Sequence, residues 1–168
     1  IRYFTYITIF ILLLVNPILI FANTNQSFIV ENEAPYEILS ENMYLDRNQK
    51  IIGFSGKVIL NQGPLMMSAD KIELFFSETL TREGFQEMKA LGNVRLENSN
   101  SISATGNIAS YSVNGREMIL TGNVLLTNEL SMIKGNKLIL NIDTGKIEIF
   151  NDELNQERVK GILVEENE

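Results

Sequence analysis

Carboxylates are the side chains of this 168-residue sequence best suited to acid–base chemistry, because histidine and cysteine are both absent. A Ser-His-Asp triad, a thiol nucleophile and the usual zinc sites each require one of those two residues. Neighbouring carboxylates occur at Glu31 and Glu33 and again at Asp152 and Glu153. Two carboxylates act as acid and base only where their surroundings separate their pKa values, and we interpret both pairs as solvated loop charges. The sequence therefore predicts a protein that is not an enzyme and that binds no metal or other cofactor.

The charge balance of the chain is acidic, with 14 basic and 21 acidic side chains and a formal net charge of −7. No basic run interrupts this balance, so nucleic acid is not expected as a partner. The sequence also lacks the Gly-x4-Gly-Lys-Ser/Thr loop that binds nucleotide phosphates. The energy for any directional process is therefore expected to come from a partner.

The N-terminal segment differs in composition from the rest of the chain. Arg2 is the only charge before Glu31, and a nearly unbroken apolar run covers residues 6–15. A helix breaker and the small residue Ala22 follow, a pattern that predicts a hydrophobic signal helix over residues 1–22 and export to the periplasm or the cell surface. A stretch of about 20 apolar residues can also span a bilayer, so an uncleaved membrane anchor is the alternative. Export of a chain without cysteine fits a fold held by β-pairing alone.

A Gly-x-Val-x-Leu motif is repeated at residues 56–60, 92–96 and 122–126. We interpret each motif glycine as the start of a strand, within a unit of four short strands. A further strand in each unit begins with an apolar residue 16 positions after the motif glycine: Ile72, Ile108 and Leu138. Stacked β-units of this kind build a surface or a groove and rarely an enzyme pocket.

Alternation of apolar and polar residues dominates the remaining chain and predicts strands with one buried face. It is clear in residues 72–76, 109–113, 138–142 and 146–149. Turn-forming residues separate these runs at positions 46–49, 61–64, 98–100, 114–115 and 143–145. Asn-Gly and Thr-Gly pairs supply the positive φ angles that tight hairpins need. The longer connection at residues 77–87 is predicted to be a loose insertion loop.

Five segments of the chain resemble the OstA-like family: residues 54–63, 68–72, 90–94, 120–124 and 134–138. Lys57 stands where the family usually has asparagine. The resemblance implies an all-β fold, an open β-jellyroll of consecutive antiparallel strands folded like a taco shell. The resemblance and the predicted signal peptide together divide the chain into four parts: residues 1–22 as signal peptide or anchor, 23–34 as linker, 35–164 as the jellyroll and 165–168 as an acidic tail.

The function implied by the resemblance is that of a periplasmic bridge for lipopolysaccharide. The lipid would pass from an inner-membrane complex to the outer membrane, with its acyl chains in an apolar groove. The implied partners are lipopolysaccharide, an LptC-like inner-membrane protein and an LptD-like outer-membrane translocon. Family positions that contact lipid near the first strand match Tyr36, Ile38 and Leu45. With the alternating apolar positions, the predicted groove comprises Tyr36, Ile38, Leu45, Phe54, Val58, Ile72, Leu74, Val113 and Leu138.

An open array of strands has two exposed edges, here predicted near residues 36–43 and near residues 146–150 or 158–164. Unpaired edges present backbone donors and acceptors that invite another strand. Because the two edges differ, pairing between copies is expected to be head-to-tail. The residues predicted to take part in this assembly are Ile147, Ile149 and Val159.

Two alternatives to the soluble bridge remain open at the level of sequence. The first is a membrane-anchored LptC-like relative with the same fold, if the N-terminal segment is not cleaved. The second is a structural β-repeat protein of the cell surface, in which the apolar face closes into a dry core. Alternation alone does not distinguish a filled core from an apolar trough.

Overall fold

Alternating apolar and polar residues produce ten β-strands in the computed structural model, which describes residues 35–99, 101–151 and 158–163. In chain order the strands are β1 (Tyr36–Leu39), β2 (Asn42–Asp46), β3 (Ile51–Gln62), β4 (Leu65–Phe76), β5 (Phe85–Asn98), β6 (Ser103–Ser112), β7 (Glu117–Thr127), β8 (Ser131–Asn141), β9 (Ile147–Phe150) and β10 (Lys160–Leu163). One 3-10 turn, Arg82–Gly84, precedes β5. The predicted signal peptide, linker and acidic tail lie outside the described residues. Across the described ranges, no helix has the length and apolar character needed to cross a bilayer.

The strands form one antiparallel sheet in which sequence neighbours are also spatial neighbours from β3 to β8. At one edge, β1 and β2 pair with opposite halves of β3. At the other edge, β10 and β9 pair with opposite halves of β8. The predicted order of consecutive antiparallel strands and the two predicted edges are therefore confirmed.

The repeated Gly-x-Val motifs lie in the middle of long strands and form β-bulges. In β3, Gly56 and Lys57 together face the single residue Asp70 of β4. The same two-against-one arrangement recurs in β5 and β7. Each bulge has a motif glycine with φ between +75° and +82° and a next residue that is also left-handed: Gly56 and Lys57, Gly92 and Asn93, Gly122 and Asn123.

The prediction that each motif glycine begins a new strand was wrong. A bulge adds a residue and bends the strand but does not end its pairing. The four short strands predicted for each unit are therefore two long strands in the structure. Lys57 takes the left-handed conformation that asparagine tolerates better, and its ammonium lies 3.5 Å from the carboxylate of Glu41.

The bulges lie side by side and form a seam that divides the sheet into two leaves. The first leaf begins with β1, continues through one half of each strand from β3 to β8, and ends with β10. The second leaf begins with β2, continues through the other halves of the same strands, and ends with β9. Aromatic rings of Tyr36 in the first leaf and Phe85 in the second lie 6.5 Å apart, so the leaves face each other. Alanines such as Ala69, Ala90 and Ala109 flank the seam, where the leaves converge.

The interior between the leaves is apolar. Its largest fully buried side chains come from both leaves: Met67, Ile72, Leu96, Leu120, Leu138, Leu140, Val58, Val94 and Val124. Gln62 is the single buried polar residue of the described chain. This core extends from the seam to the strand ends, where Leu65 and Ile142 are also buried.

The turns predicted from the sequence lie between strands in the structure. Gly63 and Pro64 form the two-residue connection between β3 and β4, and the turn of β6 and β7 contains Asn114 and Gly115. The insertion, by contrast, is shorter than predicted, because it ends at Gly84. Residues 85–87 belong to β5, where they pair with β4 and β6.

Candidate functional site

A cavity of about 380 Å³ lies between the two leaves at the end of the sheet that carries β1. The first leaf contributes residues of β1, β3 and β4, and the second contributes residues of β4 to β7. The insertion loop between β4 and β5 closes one side. The lining consists of Pro35, Tyr36, Ile38, Leu60, Gln62, Leu65, Met67, Leu74, Phe76, Leu80, Thr81, Arg82, Phe85, Met88, Tyr111, Met118 and Ile142.

The chemistry of this lining is almost entirely apolar. Its polar members are Gln62, Thr81 and Arg82, of which Gln62 is buried and the other two lie on the exposed loop. The volume falls near the lower end of the range of about 300–1,000 Å³ that is usual for small-molecule sites. The site is therefore suited to a slender apolar group that enters between the leaves.

Phe85 organises the mouth of the cavity through contacts with three other aromatic rings. Its centroid lies 5.8 Å from that of Phe76, 6.5 Å from that of Tyr36 and 6.3 Å from that of Tyr111. Such edge-on and offset pairs contribute about 0.5–1.5 kcal/mol each beyond burial. Phe85 therefore ties the edge strand β1 to the opposite leaf.

Sequence analysis missed Phe85 because it assigned this residue to the loose insertion. The pairing of β4 and β5 shifts register between Phe76 and Phe75, which leaves Gln86 as an extra residue in β5. In a regular strand, residues three positions apart face opposite sides of the sheet. Because of the extra residue, Phe85 and Met88 both line the cavity. The period-2 pattern that would have indicated an inward-facing Phe85 is broken there.

A charged pair lies beside Tyr111 at the rim of the cavity. Arg116 donates from Nε and Nη2 to the same Asp143 oxygen at 2.9 and 2.6 Å. This contact lowers the pKa of Asp143 and raises that of Arg116. Burial raises the pKa of the Tyr111 phenol, and the neighbouring Arg116 opposes that rise. The phenol therefore stays protonated and neutral at neutral pH.

On the outer face, Tyr44 fastens the edge strand β2 to the body of the sheet. Its ring lies over Gly53 so closely that a Cβ there would be 2.0 Å from Tyr44 Cε1. Its hydroxyl donates to Glu73 Oε1 at 2.5 Å, and the ammonium of Lys71 lies 2.7 Å from the same oxygen. Hydrogen bonds from Lys71 and Tyr44 lower the pKa of Glu73. The edge formed by β1 and β2 is thus anchored on both faces.

The predicted groove residues occupy different depths of the structure. Tyr36, Ile38 and Leu74 line the cavity. Other members are deeper or further out: Val58, Ile72 and Leu138 are fully buried in the core, Phe54 is half-buried against it, Val113 lies half-buried in the turn after β6, and Leu45 is 43% exposed on β2. Contact of these nine residues with lipid stays a prediction.

The residues predicted for edge assembly lie at the β9 and β10 edge. Ile147 and Ile149 belong to β9, and both side chains pack against the core. Val159 directly precedes β10 and is exposed, as is every residue of β10. The backbone of this edge rather than its isoleucine side chains is therefore accessible to another strand.

An open antiparallel sheet bent into two leaves, with an apolar cavity between them, defines the open β-jellyroll of the OstA-like class. A family model described as LptA/(LptD N-terminal domain) LPS transport protein matches residues 37–146, and the chain belongs to this family.

Individual relatives agree with this assignment. The lipopolysaccharide export system protein LptA of Escherichia coli K12 is 27% identical over 143 residues, which cover 80% of this chain and 73% of that protein. LptA of Haemophilus influenzae is 24% identical over 136 residues, covering 77% of each. LptH of Pseudomonas aeruginosa, an LptA-homologous periplasmic component of the lipopolysaccharide transport device, matches with a TM-score of 0.66. That match has 15% identity and covers 78% of this chain and 96% of LptH. It confirms the jellyroll fold, and the chain is an OstA-like relative of LptA.

Proposed function

We propose that this protein carries lipopolysaccharide across the periplasm, from an inner-membrane export complex to an outer-membrane translocon. The observation that carries the proposal is the apolar cavity that the two leaves leave open at the β1 end. Membership in the LptA family and the lipopolysaccharide export and transport roles of the relatives support the same conclusion. An unfilled apolar space favours a lipid carrier over a structural protein with a dry core.

The size of the cavity agrees with a carrier that must also release its ligand. Each buried methylene contributes about 0.8 kcal/mol, so one fully enclosed acyl chain contributes on the order of 10 kcal/mol. Enclosing several chains would make release too slow for transfer. A cavity of about 380 Å³ between partly open leaves holds part of the lipid and leaves the rest free to move on.

The proposed partners are lipopolysaccharide, an LptC-like inner-membrane protein, an LptD-like translocon and further copies of this chain. The edge formed by β1 and β2 differs in sequence and shape from the edge formed by β9 and β10. Pairing of one with the other is head-to-tail and aligns the space between the leaves of successive copies. The bridge is then a row of joined jellyrolls.

Photocrosslinking tests whether lipid enters between the leaves. A photoreactive amino acid at Ile38 or Leu74, both in the cavity lining, is expected to capture lipopolysaccharide in cells. Matched positions are the strand neighbours Glu37 and Glu73, whose side chains make hydrogen bonds on the outer face. Capture is measured by the shift of the crosslinked band with antibody to the lipid. Equal capture at inner and outer positions contradicts an internal path.

Truncation tests the proposed assembly through β10. Deleting residues 158–168 removes β10, all of whose residues are exposed, and is expected to convert concentration-dependent oligomers into monomers. Light scattering across a concentration series measures the change. Deleting only residues 164–168 keeps β10 and serves as the control, which should still assemble. Full-length protein that stays monomeric at millimolar concentration contradicts the bridge.

Proline substitutions at Ile147 or Ile149 provide a second test at the same edge. Proline removes a backbone donor from β9 and is expected to weaken assembly as well. Because both isoleucines pack against the core, thermal unfolding must accompany this measurement to separate loss of pairing from loss of folding.

N-terminal sequencing of the protein from its native cell distinguishes the soluble bridge from an anchored LptC-like relative. A start near Asn23 supports the soluble bridge. An intact N-terminal segment supports the anchored relative.

A further inference from the structure

The insertion loop places a cation at the mouth of an otherwise apolar cavity. Arg82 lies in the 3-10 turn before β5 and belongs to the cavity lining together with its neighbours Leu80 and Thr81. The connection between β6 and β7, by comparison, consists of residues 113–116. The extra length of the insertion is therefore what places Arg82 in the lining of the cavity.

The backbone of the insertion is held in a defined shape. Ser77 N–H donates to Gly84 O at 2.7 Å, and Gly84 N–H donates to Thr81 O at 3.1 Å. Gly84 is buried, and a Cβ at this position would be 1.9 Å from the carbonyl oxygen of Thr79. These contacts fix the backbone on both sides of Arg82, so its side chain starts from a constant position.

Two guanidinium groups lie near this mouth, and they differ in their partners. Arg116 is occupied by Asp143, to which it donates two hydrogen bonds. Among the described residues, no carboxylate lies within 4 Å of the guanidinium nitrogens of Arg82. The adjacent Glu83 acts on it only through its charge. Arg82 is thus the cation of this mouth that is available to a ligand.

We propose that Arg82 binds the anionic headgroup, a phosphate, of the lipid whose acyl chain occupies the cavity. The assignment of the ligand rests on the proposed function. A guanidinium group matches the geometry of phosphate with two parallel hydrogen bonds. The apolar lining cannot itself hold a charge, so the anion must stay at the mouth, where Arg82 lies. In a chain with a net charge of −7, this residue offsets the repulsion that a phosphate meets from the adjacent Glu83.

Binding of two matched lipids to the purified full chain tests the proposal. Lauroyl lysophosphatidic acid carries a phosphate, and 1-lauroylglycerol has the same acyl chain without it. Arg82→Gln is expected to weaken binding of the phosphate lipid about tenfold, the usual scale for losing a charge-assisted hydrogen bond. Binding of lauroylglycerol is expected to change less than about twofold, because its chain contacts remain. Arg82→Lys should recover part of the loss, since it restores charge without the two-pronged geometry.

Arg95→Gln is the matched control, because Arg95 pairs with Glu97 on β5 away from the cavity. It makes the same change in net charge and is expected to leave both lipids unaffected. Equal losses for Arg82→Gln and Arg95→Gln overturn the proposal, since they indicate long-range attraction only. Unchanged binding of the phosphate lipid to Arg82→Gln overturns it as well. Equal binding of the two lipids by the unmodified protein, together with binding of inorganic phosphate that depends on Arg82, overturns a lipid headgroup site and indicates a simple anion site.

The outcome separates this inference from the proposed function. If lipopolysaccharide is captured at Ile38 and Leu74 but Arg82→Gln has no effect on the phosphate lipid, the carrier stands and the headgroup site fails. If Arg82 governs binding of the phosphate lipid but lipopolysaccharide is not captured, the site is supported as one for a different anionic lipid and the proposed function fails.

Discussion

Leu74→Glu is expected to reduce lipopolysaccharide binding about thirtyfold while leaving the protein folded. Leu74 lines the cavity and is only half-buried, so the carboxylate can reach water when the site is empty. An acyl chain that enters must either bury this charge or give up contact with two or three methylenes. At about 0.8 kcal/mol for each methylene, the loss is about 2 kcal/mol. Equilibrium capture of lipopolysaccharide by immobilised protein measures the effect.

Phe75→Glu is the matched control on the same strand. Phe75 lies next to Leu74 on the opposite face of β4, and its ring is 5.0 Å from the ammonium of Lys89. The substitution adds the same negative charge outside the cavity, where Lys89 can pair with it. We expect lipid binding by this variant to match that of the unmodified protein within about twofold. Loss of binding by both variants points to net charge, and retention by both contradicts the cavity as the lipid site.

Gly92→Ala is expected to lower the free energy of unfolding by about 2–3 kcal/mol and the melting temperature by roughly 10 °C. Gly92 has φ +75°, and a Cβ there would lie 2.3 Å from Asp70 Oδ2. The left-handed conformation costs an alanine about 1–2 kcal/mol. Displacing the Asp70 carboxylate also breaks its 2.9 Å hydrogen bond from Asn93 Nδ2. Chemical and thermal denaturation measure the change.

Gly161→Ala is the control for this prediction, because nothing lies within 4 Å of its Cβ position and its φ is not left-handed. Its effect is expected to stay within about 0.5 kcal/mol. A double-mutant cycle with Asp70→Ala separates the clash from the backbone cost. If Gly92→Ala is no less stable than Gly161→Ala, the seam does not depend on a left-handed bulge.

The strand content and the turns were predictable because they follow from local rules. The two edges were predictable from the open array of strands that the resemblance implies. Alternation over a few residues identifies a strand with one buried face, and pairs such as Asn114 and Gly115 mark a hairpin without reference to the rest of the chain. The spacing of the three motif glycines also indicated a repeat, although it did not reveal that Gly56, Gly92 and Gly122 lie within strands. A bulge and a strand start both place a glycine between apolar runs, and only pairing with the neighbouring strands separates the two.

The cavity was predictable as an apolar face but not as a site. Leu74 lies in an alternating run that indicated its orientation, whereas Leu138 lies in a run of the same pattern and is in the core instead. The difference arises from the side chains that the opposite leaf places against each position, and these are brought together only when the sheet bends. Period-2 alternation carries no information about the spacing between two leaves.

The sequence by itself determined an all-β chain with an apolar inner face, two unlike edges and the turn-forming residues between its strands. Only the tertiary structure decided that β3 to β8 run unbroken through a seam and that Phe85 belongs to the mouth. It also decided that Arg82 of the insertion is the available cation there. The reason is physical. Turns and strands are stabilised by neighbours in sequence, whereas the contact of Tyr36 with Phe85 and the approach of Arg82 to the cavity join segments that meet only after the sheet has bent.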